Sequence, residues 1–149
     1  MIQDQITKDL KEALLQGDKV KATVLRGLKS VVGYAEVAAG KRDTGLGDAE
    51  TITLFQKEAK KRQESADLYL KAGDQERADK ELAEKKIIEV YLPAQLSETE
   101  IAEQVDAVIA ELGATDSKMM GQVIAGVKVR TGGAADGAII ARITKERLS

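Results

Sequence analysis

The residues best suited to chemistry in this sequence are cations near its C-terminal end. Residues 117–149 carry six basic and two acidic side chains, a net charge of +4, in a chain whose overall charge is −2. Lysine and arginine in such a group are typical contacts for nucleic-acid phosphates, and these contacts are salt-sensitive and weakly sequence-specific. The candidates for RNA binding are Lys118, Lys128, Arg130 and Arg142. Chance variation among solvated helices gives a similar distribution of charge, so both interpretations stand.

Two glycines, Gly121 and Gly126, interrupt a helical pattern in the same region. Each costs a helix about 1 kcal/mol relative to alanine. Close packing between helices is one explanation, and close approach of a ligand backbone such as RNA phosphate-ribose is the other. Gly121 is therefore a fifth candidate RNA contact. The free N–H groups at the start of this helix, beside Lys118, also offer an anion site.

The composition argues against catalysis by the chain itself. The sequence has no cysteine and no histidine, which removes disulfides, the usual zinc sites and every Ser-His or Cys-His nucleophile pair. It contains no P-loop and no GxGxxG motif, and its many carboxylates fall on predicted solvated faces. No catalytic residue, metal or cofactor is predicted. No basic apolar signal segment or membrane-spanning apolar run occurs, so we expect a cytoplasmic monomer that binds neither membrane nor DNA.

The elements that position these residues are helices. Apolar spacing and capping residues predict seven of them, and no strand pattern is convincing. The second helix is expected to turn Val20, Val24, Leu28, Val31 and Ala35 inward. Residues 41–47 are interpreted as a plain, mobile surface loop, after which Asp48 should cap the third helix. The predicted helices run from Ile2 to Gly17, Lys19 to Ala39, Ala49 to Ala72, Gln75 to Leu92, Ser97 to Gly113, Ser117 to Arg130, and from Asp136 onward.

The third and fourth predicted helices form a long antiparallel hairpin. Between Lys57 and Lys86, 17 of 30 residues are charged, so the hairpin should project from a core formed with the first two helices. Lys60, Lys61 and Arg62 are candidates for contact with an acidic partner, although pairing with neighbouring glutamates, such as Glu58 with Arg62, also explains them. The composition changes at the single proline, Pro93. We therefore predict an N-terminal domain over 1–93 and a C-terminal domain over 97–149.

Several motifs resemble the GatB/YqeY family, and the resemblance extends from Ile2 to Leu148. It implies an all-α protein with an N-terminal helical bundle, a long projecting hairpin and a C-terminal three-helix domain. That domain is similar to the tail of the B subunit of the aspartyl/glutamyl-tRNA amidotransferase, and to a domain that helps some glutaminyl-tRNA synthetases hold tRNA. Gly133 stands where the family tail commonly has a basic residue. The motifs are Arg62-Gln63-Glu64-Ser65, Gly73, Tyr91-Leu92-Pro93, Lys118-Met119-Met120-Gly121 and Ala135-Asp136-Gly137.

The resemblance and the charges together favour a non-catalytic accessory protein. It would bind tRNA, or an enzyme of tRNA aminoacylation or amidation, through the C-terminal domain. A protein-interaction adaptor that acts through the hairpin is the alternative from a different class. The resemblance also implies carbon–nitrogen ligase activity with glutamine as amido-N-donor. The catalytic and ATP-binding domains of the amidotransferase, and the serine-rich motif of its amidase subunit, have no counterpart in this sequence.

Overall fold

Every regular element of the protein is helical, which confirms the predicted fold class. The computed structural model describes all residues from 1 to 149. None of its helices has the length and apolar character of a membrane span. Contacts divide the chain into an N-terminal unit, Met1–Leu92, and a C-terminal unit, Pro93–Ser149. The helices are α1 (Ile2–Gln16), α2 (Lys19–Ala38), α3 (Asp48–Lys71), α4 (Gln75–Glu89), α5 (Glu98–Leu112), α6 (Met120–Thr131) and α7 (Gly137–Leu148), with a 3-10 turn at Ser117–Met119.

The helix starts follow the capping residues, with one exception. The side chains of Asp18, Asp74 and Ser97 accept hydrogen bonds from the first turns of α2, α4 and α5. Asp48 was predicted to cap α3, and this prediction is wrong because Gly47 occupies the cap position. The Asp48 carboxylate instead accepts from the Ile2 N–H at 3.0 Å. It therefore caps α1, a helix that begins 46 residues earlier in the chain.

The core of the N-terminal unit contains Ile6, Leu25, Leu28, Phe55 and Ile88, all of which are buried. The inward row predicted for α2 is only partly right. Val24 and Leu28 are buried, but Val20 is 50% exposed and Leu25 and Val32 take inward positions. The predicted row starts at the edge of the inward face and takes one residue per turn, so it misses Leu25 and Val32, which share that face.

The connection between α2 and α3 is not a plain surface loop. Leu46 is 5% exposed and belongs to the core. Its N–H donates to Glu36 Oε1 at 3.3 Å, and its carbonyl accepts from Gln3 Nε2 at 3.1 Å. Lys41 and Glu50 form an ion pair at 2.6 Å across the loop. A single apolar residue between two glycines gave too little periodicity for this anchor to be recognised.

Helices α3 and α4 run antiparallel and pack against each other. At the base of this hairpin, the rings of Phe55 and Tyr91 meet edge to face with centroids 6.3 Å apart. Beyond Ala59 and Ile88, the hairpin buries only Ala66 and Ala78. The distal half is therefore held by contacts between its own two helices.

Tyr91 also closes the N-terminal unit onto α1. Its hydroxyl donates a hydrogen bond to Asp9 Oδ2, which lies 82 residues earlier. Burial, together with the hydrogen bond and negative charge of Asp9, raises the pKa of Tyr91 above its ordinary value. The phenol is therefore held in its protonated form.

The C-terminal unit is built from α5, α6 and α7 around a core that includes Ile101, Val105, Val127 and Ile140. The predicted sixth helix begins as the 3-10 turn and becomes α-helical only at Met120. The segment before α5 is fastened to the α6–α7 connection, because the Leu96 N–H donates to the Ala134 carbonyl at 2.8 Å.

Candidate anion-binding surface of the C-terminal unit

The three arginines of the C-terminal unit are neutralised by α5. Each one forms an ion pair with a different carboxylate of that helix, and Arg130 also donates to Gln104 Oε1 at 3.2 Å. The hydrogen bond from Arg142 to Glu98, and then the charge of Glu98, raise the pKa of Arg142 above its ordinary value. Arg130 and Arg142 are therefore occupied within the unit. The pairs are Arg142 with Glu98 at 2.8 Å, Arg147 with Asp106 at 2.9 Å, and Arg130 with Glu111.

The lysines of the same unit are left unpaired. Lys118, Lys128 and Lys145 are exposed, and none of them lies within ion-pair distance of a carboxylate. The Lys128 side chain lies beside Gly137, at the start of α7. A Cβ atom added to Gly137 would lie 3.7 Å from Lys128 Cε and 3.9 Å from Nζ. Lys118 and Lys128 are thus the predicted RNA contacts whose charges remain available.

Lys118, Gly121, Ala125 and Lys128 form a stripe along α6 and the turn before it. Their spacing of three, four and three residues places them on one side of the helix, and all four are exposed. We call them the α6 stripe. At 1.5 Å per residue, its two lysines stand about 15 Å apart along the axis. The small residues between them leave the helix backbone accessible, an arrangement that suits contact with an extended anionic backbone.

The two glycines of α6 have different surroundings. A Cβ atom on Gly126 would lie 2.9 Å from Val108 Cγ1, so this position allows α5 and α6 to pack closely. A Cβ atom on Gly121 would meet nothing within 4 Å. Packing therefore explains Gly126 and does not explain Gly121.

Carboxylates of the chain already accept from some of the N–H groups at the helix starts. Asp116 Oδ1 accepts from the Lys118 N–H at 2.9 Å. Asp136 Oδ1 likewise accepts from the Ala138 and Ile139 N–H groups at the start of α7. The Lys118 N–H, which was expected to be free, is therefore engaged, and a carboxylate of the chain lies beside it. The negative charge of each carboxylate disfavours an anion at these helix starts, so the lysine ammonium groups are the better candidates for holding one.

The predicted partner contacts in the hairpin separate in the structure. Arg62 turns toward α4 and pairs with Glu81 at 3.5 Å and with Glu84 at 3.2 Å. Arg62 Nε and Glu81 Oε2 are buried without a hydrogen-bond partner. The expected pair of Glu58 with Arg62 is replaced by Glu58 with Lys61 at 3.1 Å.

Lys60 is exposed and forms no ion pair. The three adjacent basic residues thus do not make one surface, since Arg62 lies between the hairpin helices. The sequence signal for this inward role was heptad spacing, because Arg62 stands seven residues after Phe55 and seven before Tyr69. No group of three or more acidic side chains in the protein is arranged to hold a metal ion.

A family model described as "Yqey-like protein" matches residues 3–148. The chain belongs to the YqeY family. The match covers both units, so the family assignment rests on the hairpin as well as on the C-terminal helices. The comparisons do not show the similarity to the amidotransferase tail.

Three curated relatives of this YqeY-family chain share the printed name "Altered inheritance of mitochondria protein 41, mitochondrial". The protein from Eremothecium gossypii is 32% identical over 112 residues, 74% of this chain and 60% of the relative. The protein from Vanderwaltozyma polyspora is 33% identical over 87 residues, which cover 58% and 46% of the two chains. The protein from Lachancea thermotolerans is 33% identical over 110 residues, or 72% and 57%. The YqeY-family chain thus spans about 60% or less of the length of these relatives.

Proposed function

We propose that this protein is a non-catalytic accessory protein that binds tRNA through the α6 stripe. The observation that carries the proposal is the difference between lysines and arginines in the C-terminal unit. The arginines are held by α5, whereas Lys118 and Lys128 are unpaired at the two ends of an exposed small-residue surface. We propose tRNA as the bound RNA because the C-terminal domain resembles the tail of the amidotransferase B subunit.

The contacts would be made to phosphates. Lysine ammonium groups bind phosphate as point charges, without reading base edges, so affinity should depend strongly on salt and weakly on sequence. Two phosphate contacts correspond to a slope of log affinity against log salt of about −1.5 to −2. Gly121 would allow the RNA backbone to approach α6 without a side chain in between.

A titration of fluorescently labelled bulk tRNA tests the proposal. The full-length protein should bind at about 50 mM salt and lose affinity at about 200 mM. The double variant Lys118→Glu/Lys128→Glu should bind at least about tenfold more weakly. A matched control is Lys57→Glu/Lys60→Glu on α3, which makes the same charge change at two exposed lysines outside the C-terminal unit.

Two results would overturn the proposal: no binding at the lower salt concentration, or equal losses in the two double variants. If tRNA is bound only when a tRNA-aminoacylation or amidation enzyme is added, the surface recognises that enzyme instead. A cytoplasmic location is part of the proposal. Because the relatives carry the word mitochondrial in their names, fluorescence microscopy of the tagged protein should check the location.

The hairpin gives a second candidate function, that of a protein-interaction adaptor. Near the turn between α3 and α4, Leu68 is 66% exposed and Leu70 is 45% exposed. The distal hairpin buries only two alanines, so these leucines contribute nothing to a core of their own unit. The variant Leu68→Ser/Leu70→Ser should retain helical circular dichroism and lose a partner identified by pull-down. Retention of every such partner would remove this candidate.

A further inference from the structure

Six uncharged residues of α2 form two rows on its exposed side. Val20, Gly27 and Tyr34 follow one another at intervals of seven residues, and so do Thr23, Ser30 and Val37. All six are exposed, and Tyr34 is 79% exposed. We call these six residues the α2 seam. Two interleaved rows with a seven-residue period are the pattern by which one helix packs along another.

The surroundings of the seam make it unusual within this protein. Charged side chains make up 32% of the chain, and the exposed side of α3 carries Lys57, Lys60 and Glu64. The seam has no such residue over 18 positions, which correspond to about 26 Å of helix axis. An uncharged stripe of this length on an exposed helix has no role in the fold that the structure shows.

The centre of the seam is open to a second helix. A Cβ atom on Gly27 would meet nothing within 4 Å. A glycine inside a helix is unfavourable relative to alanine, and here no packing within the chain requires it. The Thr23 hydroxyl already donates to the Lys19 carbonyl at 2.9 Å, so Thr23 can be covered without losing a hydrogen bond to water. A side chain from another helix can therefore lie over Gly27.

One edge of the seam is basic. Lys19 and Arg26 are themselves seven residues apart, each one position before a seam residue, and Lys29 lies further around the same side. All three are exposed and form no ion pair. The one acidic residue of α2, Glu36, is engaged by the Leu46 N–H. No carboxylate of α2 is thus left beside the seam.

The charges along this edge identify the kind of partner. In a heptad pair, side chains at such flanking positions form ion pairs with the facing helix. A second copy in antiparallel orientation would place Lys19 and Arg26 against the same basic residues. In parallel orientation they would face the side of α2 that holds buried Val24 and half-buried Val31, which offers no acidic side chain. A helix with acidic residues along one edge complements them, so self-association is disfavoured and an acidic partner is favoured.

We propose that the α2 seam is a docking site for an amphipathic helix of another protein. That helix has apolar residues at heptad spacing and glutamate or aspartate along the edge that faces Lys19 and Arg26. The site lies in the N-terminal unit and does not depend on the proposed tRNA binding.

Site-specific photo-crosslinking in cells tests the docking site. A photoreactive amino acid is placed at Ser30 of the full-length protein, and in a control at Lys57 on the exposed side of α3. The Ser30 probe should give an adduct absent from the control. Mass spectrometry should place the crosslink in a segment of another protein that has heptad apolar spacing and an acidic edge. An adduct with a second copy or with nucleic acid, or no adduct beyond the control, would overturn the proposal.

Two variants separate docking from folding. In Gly27→Leu, the new side chain occupies the space where the partner helix would lie and touches nothing in the chain itself. The urea midpoint should therefore not fall, whereas the adduct yield should drop at least about tenfold. Arg26→Glu should lower the yield by a similar factor, whereas Lys57→Glu, with the same charge change on α3, should not. If the yield is unchanged in Arg26→Glu, or falls equally in Lys57→Glu, the assignment of an acidic partner is wrong.

Discussion

Replacing Gly126 by alanine should destabilise the C-terminal unit, although alanine is the better helix former. The new Cβ would lie 2.9 Å from Val108 Cγ1, which real Cβ contacts do not reach. Val108 is 3% exposed and packed in the core, so about half an ångström of displacement has to be absorbed there. Overpacking of this kind costs about 1–3 kcal/mol. The gain in helix propensity returns about 1 kcal/mol, which leaves a net loss of about 0–2 kcal/mol.

Gly121→Ala is the matched control, because it makes the same substitution in the same helix where a Cβ meets nothing within 4 Å. It should stabilise α6 by up to about 1 kcal/mol. The two variants should therefore differ by about 1–3 kcal/mol. In a Val108→Ala background, the cost of Gly126→Ala should disappear, with a coupling energy of about 0.5–3 kcal/mol.

Hydrogen exchange measured by mass spectrometry is the suitable assay. The four aromatic residues all lie before Pro93, so tyrosine fluorescence does not report on the C-terminal unit. Protection of the α6 amides in the full-length protein gives the free energy of opening for that unit. If Gly126→Ala is as stable as Gly121→Ala, Val108 moves freely and close packing does not explain Gly126.

Three further predictions follow from the ion pairs and from the buried phenol. Tyr91→Phe should abolish a loss of N-terminal-unit stability that begins near pH 10, because the raised folded-state pKa makes the unfolded chain release the phenolic proton first. Urea midpoints at pH 9 and pH 11 measure this, and an equal fall in both proteins would contradict it. Arg62→Ala should lower the free energy of urea unfolding by about 1–3 kcal/mol, because it leaves two mostly buried glutamates without a cation. Lys61→Ala should lower it by less than about 1 kcal/mol. Asp106→Asn should raise tRNA affinity more than Glu103→Gln by releasing an arginine, and equal effects in the tRNA titration would show that only net charge matters.

Local signals in the sequence were sufficient for the helices and most of their ends. The capping box of Ser97 and Glu100 and the stop at Gly113 involve residues within a few positions of each other, and the structure contains both. Asp48 and Leu46 were misread because their partners lie on α1, more than forty residues away. A capping residue is recognised by its neighbours, and these two act on a distant helix.

The sequence was sufficient to predict which basic residues form the candidate site, but not which of them remain unpaired. Residues 117–149 are cationic, and residues 94–116 before them carry six acidic and no basic side chains. Nothing local in the sequence indicates which of the cations these acids neutralise. Arg130 and Arg142 reach α5 only because the C-terminal unit brings that helix beside α6 and α7. The α2 seam was missed for a related reason. Val20, the first residue of the seam, was assigned inward, which hid the seven-residue period on the exposed face.

The contact between Tyr91 and Asp9 can form only after nearly all of the N-terminal unit has been synthesised. The two residues are 82 positions apart, and Tyr91 also supplies the edge-to-face partner of Phe55. At a synthesis rate of about 5–20 residues per second, the ribosome needs about 5–18 s to reach that tyrosine. During this interval α1 and α2 emerge with their inward faces uncovered, so this unit is expected to engage a nascent-chain chaperone before it closes.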